Sequence, residues 1–171
     1  MNSFEHTINR NFDALVLEGG SLKCAYTAGI LDVLMDSNFP EFIYYYGVSS
    51  GSMAMSYLLS KQRSNFIKVT RALVEDPNFI SYRNTFSQQG LMNLDFLQGY
   101  VHDTYPFDEE AANRNSEGKK VCIVATDHLS GKPHYLSPSK GKWLNYMMAS
   151  ATLPFITKGR TKVDGQWMFD G

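Results

Sequence analysis

The chain has 171 residues, of which 43% are hydrophobic and 19% are charged. That length favours a single domain over residues 1–171, and the apolar fraction excludes a disordered chain. Lys and Arg number 16 against 17 Asp and Glu, so the net charge is −1. Since domains that bind nucleic acid usually carry a basic excess, no nucleic-acid partner is expected.

The cysteines and the start of the chain favour a reducing, cytoplasmic compartment. Cys24 and Cys122 are too few for a disulfide framework, and the sequence has no Cys/His cluster with the spacing of a zinc site. The first ten residues lack the pattern of a secretory signal, and no apolar stretch is long enough for a membrane helix. We therefore expect a cytoplasmic protein without a bound metal. The composition does not exclude a peripheral contact with a membrane surface. It predicts no oligomeric state.

The first part of the chain repeats a strand, a glycine turn and a helix. Residues 14–17 form an apolar run that ends at a Gly-Gly-Ser turn, and residues 24–36 have apolar side chains at helical spacing. Residues 42–48 predict a second buried strand, and residues 52–59 a second helix. Because parallel neighbours need a long crossover, the pattern predicts an α/β fold with a mainly parallel sheet.

The second part of the chain is less regular. Helices are predicted over 66–74 and 91–100, and a polar loop over 114–120. The later predictions, in chain order, are a strand over 121–125, a hairpin partner over 134–136, a helix over 142–150, and a hairpin over 162–167 with Asp-Gly at its tip.

The second glycine turn matches a pattern that presents a reactive serine. Gly47-x-Ser49-x-Gly51 lies between a predicted strand and a predicted helix, as a nucleophile elbow requires. Such a turn forces close backbone contacts that favour glycine on both sides, and the following helix N-terminus favours negative charge. An ordinary turn rich in Gly and Ser, without a reactive serine, is the alternative interpretation.

The first glycine turn occupies the corresponding place in the preceding unit. The N–H groups of Gly19, Gly20 and Ser21 are candidates for binding a phosphate or an oxyanion. The residues around them match neither a P-loop nor a dinucleotide fingerprint, and an ordinary tight turn is the alternative. In a parallel sheet both turns fall at the carboxyl edge of the strands, so we expect them to lie close together.

A serine nucleophile also needs a base, and the sequence offers two kinds. Asp170 follows a predicted strand and is a candidate to take the serine proton directly. A hydrolase triad is the other arrangement, with Asp95 or Asp103 as the acid and His128 or His134 as the base. The two histidines flank a hairpin turn, so we expect them to be exposed polar residues, which also argues against a metal pair there.

Four motifs together resemble the patatin-like phospholipases. They are Glu18-Gly-Gly-Ser-Leu-Lys-Cys-Ala-Tyr-Thr-Ala-Gly-Ile-Leu-Asp32, Gly47-Val-Ser-Ser-Gly51, Ala149-Ser-Ala-Thr-Leu-Pro154 and Asp170-Gly171. The resemblance spans residues 13 to 171 and is closest to the bacterial branch of the family. It implies a patatin-like three-layer α/β sandwich with a mainly parallel central sheet. Family domains continue past the Asp-Gly motif, so the C-terminal part is expected to be missing.

The same resemblance implies a function. It predicts a serine lipid acyl hydrolase of the phospholipase A, lysophospholipase or esterase type, which needs no cofactor and acts on an acyl lipid or ester. The nucleophile would be Ser49 and the base Asp170, without a histidine. The implied supporting residues are Gly19, Gly20 and Ser21 for the oxyanion hole, Lys23 as the basic residue of that loop, and Gly47, Gly51 and Gly171 within the motifs.

The sequence departs from the family pattern in the first loop. Ser21 and Cys24 stand where the family usually has glycine, and a left-handed backbone at Ser21 would cost about 1 kcal/mol. Two alternatives to the dyad enzyme stay open: a Ser-His-Asp esterase and a non-catalytic acyl-lipid-binding module. The aromatic segment from Phe79 to Phe107 is interpreted either as an acyl channel or lid, or as secondary core. Trp143 and Met147 are expected to be core side chains.

Overall fold

A computed structural model of the chain describes residues 12–37, 39, 41–81, 90–154, 156–157 and 161–171. These residues form a six-stranded mixed sheet with helices packed against it. The strands are β1 (Ala14–Leu17), β2 (Tyr44–Val48), β3 (Lys120–Asp127), β4 (Pro133–Leu136), β5 (Thr161–Val163) and β6 (Gln166–Asp170). The helices are α1 (Cys24–Asp36), α2 (Ser50–Leu59), α3 (Asn65–Glu75), α4 (Leu94–Thr104), α5 (Glu109–Asn115) and α6 (Trp143–Ser150), with a 3-10 turn at Ser21–Lys23 before α1.

The strands β1, β2 and β3 lie side by side and run parallel. Their register pairs Leu17 with Gly47, and Gly47 with Ile123. The α/β class and the parallel centre of the sheet are therefore as predicted. Helix α2 packs on β2, and α1 packs beside α2.

Strand β3 brings two distant parts of the chain together. Ile123 and Val124 pair with both β2 and β4, whereas Ala125 and Thr126 pair with both β4 and β6. Strands β2 and β6 therefore share one edge of β3, and β4 lies along the other edge. Because β6 is antiparallel to β3, the carboxyl ends of β2 and β6 meet on that shared edge.

The core lies between the sheet and the helices. Trp143, Met55 and Ile123 are completely buried there. The indole N–H of Trp143 donates to Asn113 Oδ1 at 2.8 Å, so its one polar group is satisfied inside the core. The expectation that Trp143 is a core side chain is confirmed.

The predicted Asp-Gly hairpin is confirmed, whereas the predicted polar loop is not. The Asp164-Gly165 hairpin connects β5 to β6 with φ angles of 46° and 89°, as the positive-φ turns of tight hairpins require. The predicted polar loop over 114–120 is wrong at both ends, because α5 ends at Asn115 and β3 begins at Lys120. Helix α5 has a capping residue before it, since Asp108 accepts a hydrogen bond from the Ala111 N–H at 2.8 Å.

Helix α4 begins later than predicted. Asn93 caps it by accepting a hydrogen bond from the Phe96 N–H at 3.0 Å, so the helix covers Leu94–Thr104 rather than 91–100. Tyr82 and Phe86, which belong to the predicted aromatic segment, lie outside the described residues. Among the helices of the described ranges, none combines the length and apolar character that crossing a membrane requires.

Candidate active site

Ser49 occupies a strained turn between β2 and α2. Its φ of 54° and ψ of −132° lie in a region that non-glycine residues adopt only under constraint. Both flanking glycines are needed for this geometry. A Cβ atom at Gly47 would lie 2.6 Å from Ser52 Cα, and one at Gly51 would lie 2.7 Å from the Leu17 carbonyl oxygen.

The Ser49 hydroxyl donates a hydrogen bond to Asp170 Oδ2 at 2.6 Å. The two residues meet because the ends of β2 and β6 converge on one edge of β3. Gly171 makes this convergence possible, since a Cβ there would lie 2.5 Å from the Val124 carbonyl oxygen and 3.0 Å from Val48 Cγ1. A serine hydroxyl and a carboxylate are thus in direct contact at the end of the parallel strands.

The environment of Asp170 favours its protonated form. Burial raises the pKa of the Asp170 carboxyl above its ordinary value. Hydrogen bonds from the Ser49 hydroxyl and the Gly171 N–H oppose that shift, because they stabilise the ionised form. A raised pKa is the direction that makes an aspartate a better proton acceptor for a hydroxyl.

The last residue of α6 and the turn that follows it hold the two members of this pair. The Ser49 N–H donates to Ser150 Oγ at 2.7 Å, and the Ser150 hydroxyl donates to the Val124 carbonyl oxygen. The Asp170 N–H donates to the Thr152 carbonyl oxygen at 2.8 Å. Sequence reasoning quoted the motif containing Ser150 and Thr152 but assigned it no role. The match to the family motif was the one sign in the sequence that these two residues matter. The structure shows that they position Ser49 and Asp170.

The first glycine turn lies directly beside Ser49. A Cβ atom at Gly19 would lie 2.8 Å from Ser49 Cβ, so the predicted approach of the two turns is observed. Side chains also connect them: the Ser50 hydroxyl donates to Cys24 Sγ at 3.0 Å, and the Cys24 thiol donates to the Glu18 carbonyl oxygen at 3.6 Å. Cys24, which replaces a family glycine, therefore contacts both turns.

The first turn presents backbone donors. Within the described ranges, the amides of Gly19, Gly20 and Ser21 donate to no acceptor, while the Gly20 carbonyl accepts from the Lys23 N–H at 3.1 Å. Ser21 has a φ of 52°, so the left-handed backbone that was anticipated there is observed, at a cost of about 1 kcal/mol. Lys23 is exposed at the end of the 3-10 turn.

The histidines do not match the expected exposure. His128 and His134 were predicted to be exposed, but both are half-buried. His128 packs edge-on against Phe169 with ring centroids 4.8 Å apart, and His134 lies on β4, across β3 from Asp170. The exposed His102 bonds instead to its neighbour Asp103, at 2.8 Å. The Ser49 hydroxyl donates to Asp170.

An apolar cleft opens from Ser49 into the helical layer. Its empty space, including the open mouth, is about 820 Å³. Ser21 and Leu22 lie among its lining residues, beside Ser49. The deeper wall is apolar and includes Met53, Val69, Leu73, Phe79, Leu97 and Met147.

The cleft clarifies the two interpretations of the aromatic segment. Phe79 and Phe107, the two ends of that segment, line the cleft. Phe96 and Tyr105 pack against the core, so part of the segment is secondary core. Met147 does both, since it is a buried core side chain that also lines the cleft.

A comparison with known protein families finds a match over most of the chain. Residues 15–171 match the family model described as patatin-like phospholipase. The chain belongs to the patatin-like phospholipase family. Membership places it within a family of lipid acyl hydrolases.

A relative in Escherichia coli (strain K12) aligns with almost the same range. The uncharacterized protein YjjU is 28% identical to this patatin-like chain over 159 residues, which cover 92% of this chain and 44% of that protein. The chain therefore spans less than half the length of this curated relative.

Proposed function

We propose that this chain carries the catalytic centre of a serine lipid acyl hydrolase of the phospholipase A, lysophospholipase or esterase type. The observation that carries the proposal is the 2.6 Å contact between Ser49 Oγ and Asp170 Oδ2. Two further observations support it: the amides beside Ser49, which donate to no acceptor among the described residues, and the apolar cleft that begins there.

The proposed reaction begins with attack by Ser49 Oγ on the carbonyl carbon of the ester. The hydroxyl proton passes to Asp170, and the electron pair of the carbonyl bond moves to oxygen. The amides of Gly19, Gly20 and Ser21 stabilise that oxyanion, and losing one such donor costs roughly 3–4 kcal/mol in the barrier. The alcohol leaves with the proton from Asp170, and water then releases the acid from the acyl-enzyme.

The proposed substrate position follows from the cleft. An acyl chain would lie along its apolar wall, so that the ester reaches Ser49 at the mouth. The head group would stay outside, on the side where Lys23 is exposed. A peripheral contact with a membrane surface and a cytoplasmic location remain parts of this proposal; the two buried free cysteines are compatible with a reducing compartment.

Hydrolysis kinetics test the proposed dyad. We expect Ser49→Ala and Asp170→Asn each to lower kcat for a nitrophenyl acyl ester at least about 1000-fold. The double variant should be little worse than either single one, because the two residues act as a unit. His128→Gln and His134→Gln serve as controls and should retain turnover within about threefold.

Each alternative has a distinct outcome in the same experiment. Loss of turnover in either histidine variant would contradict the dyad and indicate a Ser-His-Asp esterase. Tight binding of acyl esters by the unaltered protein without any turnover would indicate a non-catalytic acyl-lipid-binding module.

A further inference from the structure

Tyr57 has an unusual position in the wall of the cleft. It lies on α2, eight residues after Ser49, which is roughly 12 Å along a helix axis. Its side chain is 5% exposed and lines the cleft. The ring packs against Phe66 and Phe107, with centroid distances of 6.1 Å and 5.8 Å. Tyr57 therefore lies well inside the cleft, away from the reacting ester.

The hydroxyl of Tyr57 is a buried donor without an acceptor. It makes no hydrogen bond within the part of the chain that the structure describes. Burial raises the pKa of Tyr57 to about 12, so the hydroxyl keeps its proton at any physiological pH. Buried polar groups are nearly always hydrogen-bonded, because leaving one unsatisfied is destabilising. This hydroxyl therefore needs a partner that the described residues do not provide.

The two threonine hydroxyls of the cleft are already satisfied. Thr70 Oγ1 donates to the Phe66 carbonyl oxygen at 2.8 Å, and Thr157 Oγ1 donates to the Leu153 carbonyl oxygen at 3.0 Å. These threonines bond back to their own local backbone and offer no proton to a ligand. Tyr57 differs from them because its hydroxyl donates to no acceptor within the described residues, although it lies in a mainly apolar wall.

We propose that the Tyr57 hydroxyl donates a hydrogen bond to an oxygen atom carried by the acyl chain. The cleft would then favour hydroxyacyl or oxoacyl chains over plain hydrocarbon chains. This inference rests on the proposed function, since it assumes that an acyl chain occupies the cleft. A site that hydrogen-bonds a substrate oxygen discriminates against the analogue that lacks it, because the buried donor is then left unpaired.

The direct test compares esters that differ by one hydroxyl. Nitrophenyl dodecanoate would be measured against a series of its monohydroxy derivatives, with the hydroxyl at successive carbons. At one position we expect kcat/KM to exceed that of the plain ester by about tenfold. Tyr57→Phe should bring that ratio close to one. A ratio that is the same in the unaltered protein and in Tyr57→Phe at every position would overturn the proposal.

Tyr45→Phe is the matched control. Tyr45 is also buried, but it lies outside this cleft and its hydroxyl accepts a hydrogen bond from the Phe42 N–H at 3.2 Å. Its substitution should leave the ester ratio unchanged and lower Tm, because the Phe42 N–H loses its acceptor. Tyr57→Phe without ligand should leave Tm unchanged or raise it. A clear fall in Tm for Tyr57→Phe would mean that the hydroxyl has a partner in the folded protein, and would overturn the proposal.

A binding measurement separates this inference from the proposed catalysis. In the Ser49→Ala background, calorimetry would compare dodecanoic acid with the hydroxydodecanoic acids. A preference for a hydroxy acid that disappears in Ser49→Ala/Tyr57→Phe supports the role of Tyr57, even if the unaltered protein hydrolyses no ester. Equal affinities for plain and hydroxy acids at every position would contradict that role, even if hydrolysis is rapid.

Discussion

The two strand-to-helix turns of the parallel sheet have the same topology and different chemistry. After β1, a 3-10 turn at Ser21–Lys23 delays the helix, and the amides of Gly19, Gly20 and Ser21 find no acceptor among the described residues. After β2, helix α2 begins at the next residue but one, and the turn presents the hydroxyl of Ser49. One turn thus offers backbone donors and the other the proposed nucleophile, a combination that two identical turns would not provide.

The glycines of these turns make room for the neighbouring turn as well as for their own. A Cβ atom at Gly51, in the second turn, would meet the Leu17 carbonyl oxygen at the end of β1. A Cβ atom at Gly19, in the first turn, would meet Ser49 Cβ. The difference in chemistry therefore depends on backbones that touch directly, and substitutions at the contact should affect both turns.

The largest effect is expected from Gly51→Ala, which forces the two turns apart. Its Cβ would lie 2.7 Å from the Leu17 carbonyl oxygen and still closer to that of Glu18. Neither backbone oxygen can move easily, so we expect a loss of about 2–3 kcal/mol in the free energy of unfolding, measured with urea. Hydrolysis should fall as well.

Gly29→Ala is the control for that substitution. Gly29 lies within α1, and a Cβ there would meet nothing within 4 Å. It should raise stability by up to about 1 kcal/mol, because alanine favours a helix. Equal effects of the two substitutions would contradict the direct contact between the turns.

An intermediate effect is expected from Ser150→Ala, which loosens only the second turn. The substitution removes the acceptor of the Ser49 N–H and the donor to the Val124 carbonyl. Leaving a buried amide unpaired should cost about 1–3 kcal/mol, and hydrolysis should fall about tenfold as Ser49 loses its position. Both quantities would be measured on the same preparation.

Ser56→Ala provides the comparison for Ser150→Ala. Ser56 is just as buried, but its hydroxyl donates only to the Ser52 carbonyl oxygen of its own helix. We expect a smaller loss of stability and little change in kcat. If Ser56→Ala slowed hydrolysis as much as Ser150→Ala, the positioning role of Ser150 would be wrong.

The smallest expected effect is a gain in stability from Asp170→Asn. Because burial raises the pKa of Asp170 in the folded state, ionising it disfavours folding. The unaltered protein should therefore lose stability relative to Asp170→Asn as the pH rises from below about 3.9 through the raised pKa. Thermal unfolding across that range should show Asp170→Asn at higher Tm at neutral pH, with the difference smallest in acid. A difference of the opposite sign would mean that the carboxylate is stabilising.

Much of the fold and part of the site could be predicted from sequence for physical reasons. The charge-free run that became β2 and the repeated unit predicted a parallel sheet. Parallel strands end at one edge, and this brought Gly19 and Ser49 together as expected. Asp170 was one of two kinds of base that the sequence offered, and the family motifs favoured it; its place beside Ser49 depends on β6 pairing with β3.

Features that depend on distant parts of the chain could not be predicted in this way. The bond between Ser49 and Ser150 joins residues 101 apart in sequence. The burial of His128 results from its packing against Phe169, and the unpaired hydroxyl of Tyr57 depends on every residue around it. Helix α5 is different, because Asp108 and the two glutamates after it are local indications of a helix start that were overlooked.

Covalent labelling with a fluorophosphonate tests the central claim most directly. We predict one label per molecule of intact protein, located on Ser49 by mass spectrometry of peptides. The label should form much more slowly in Asp170→Asn and at an unchanged rate in His128→Gln. A fully folded protein that takes up no label, or takes it up on a residue other than Ser49, would contradict the account.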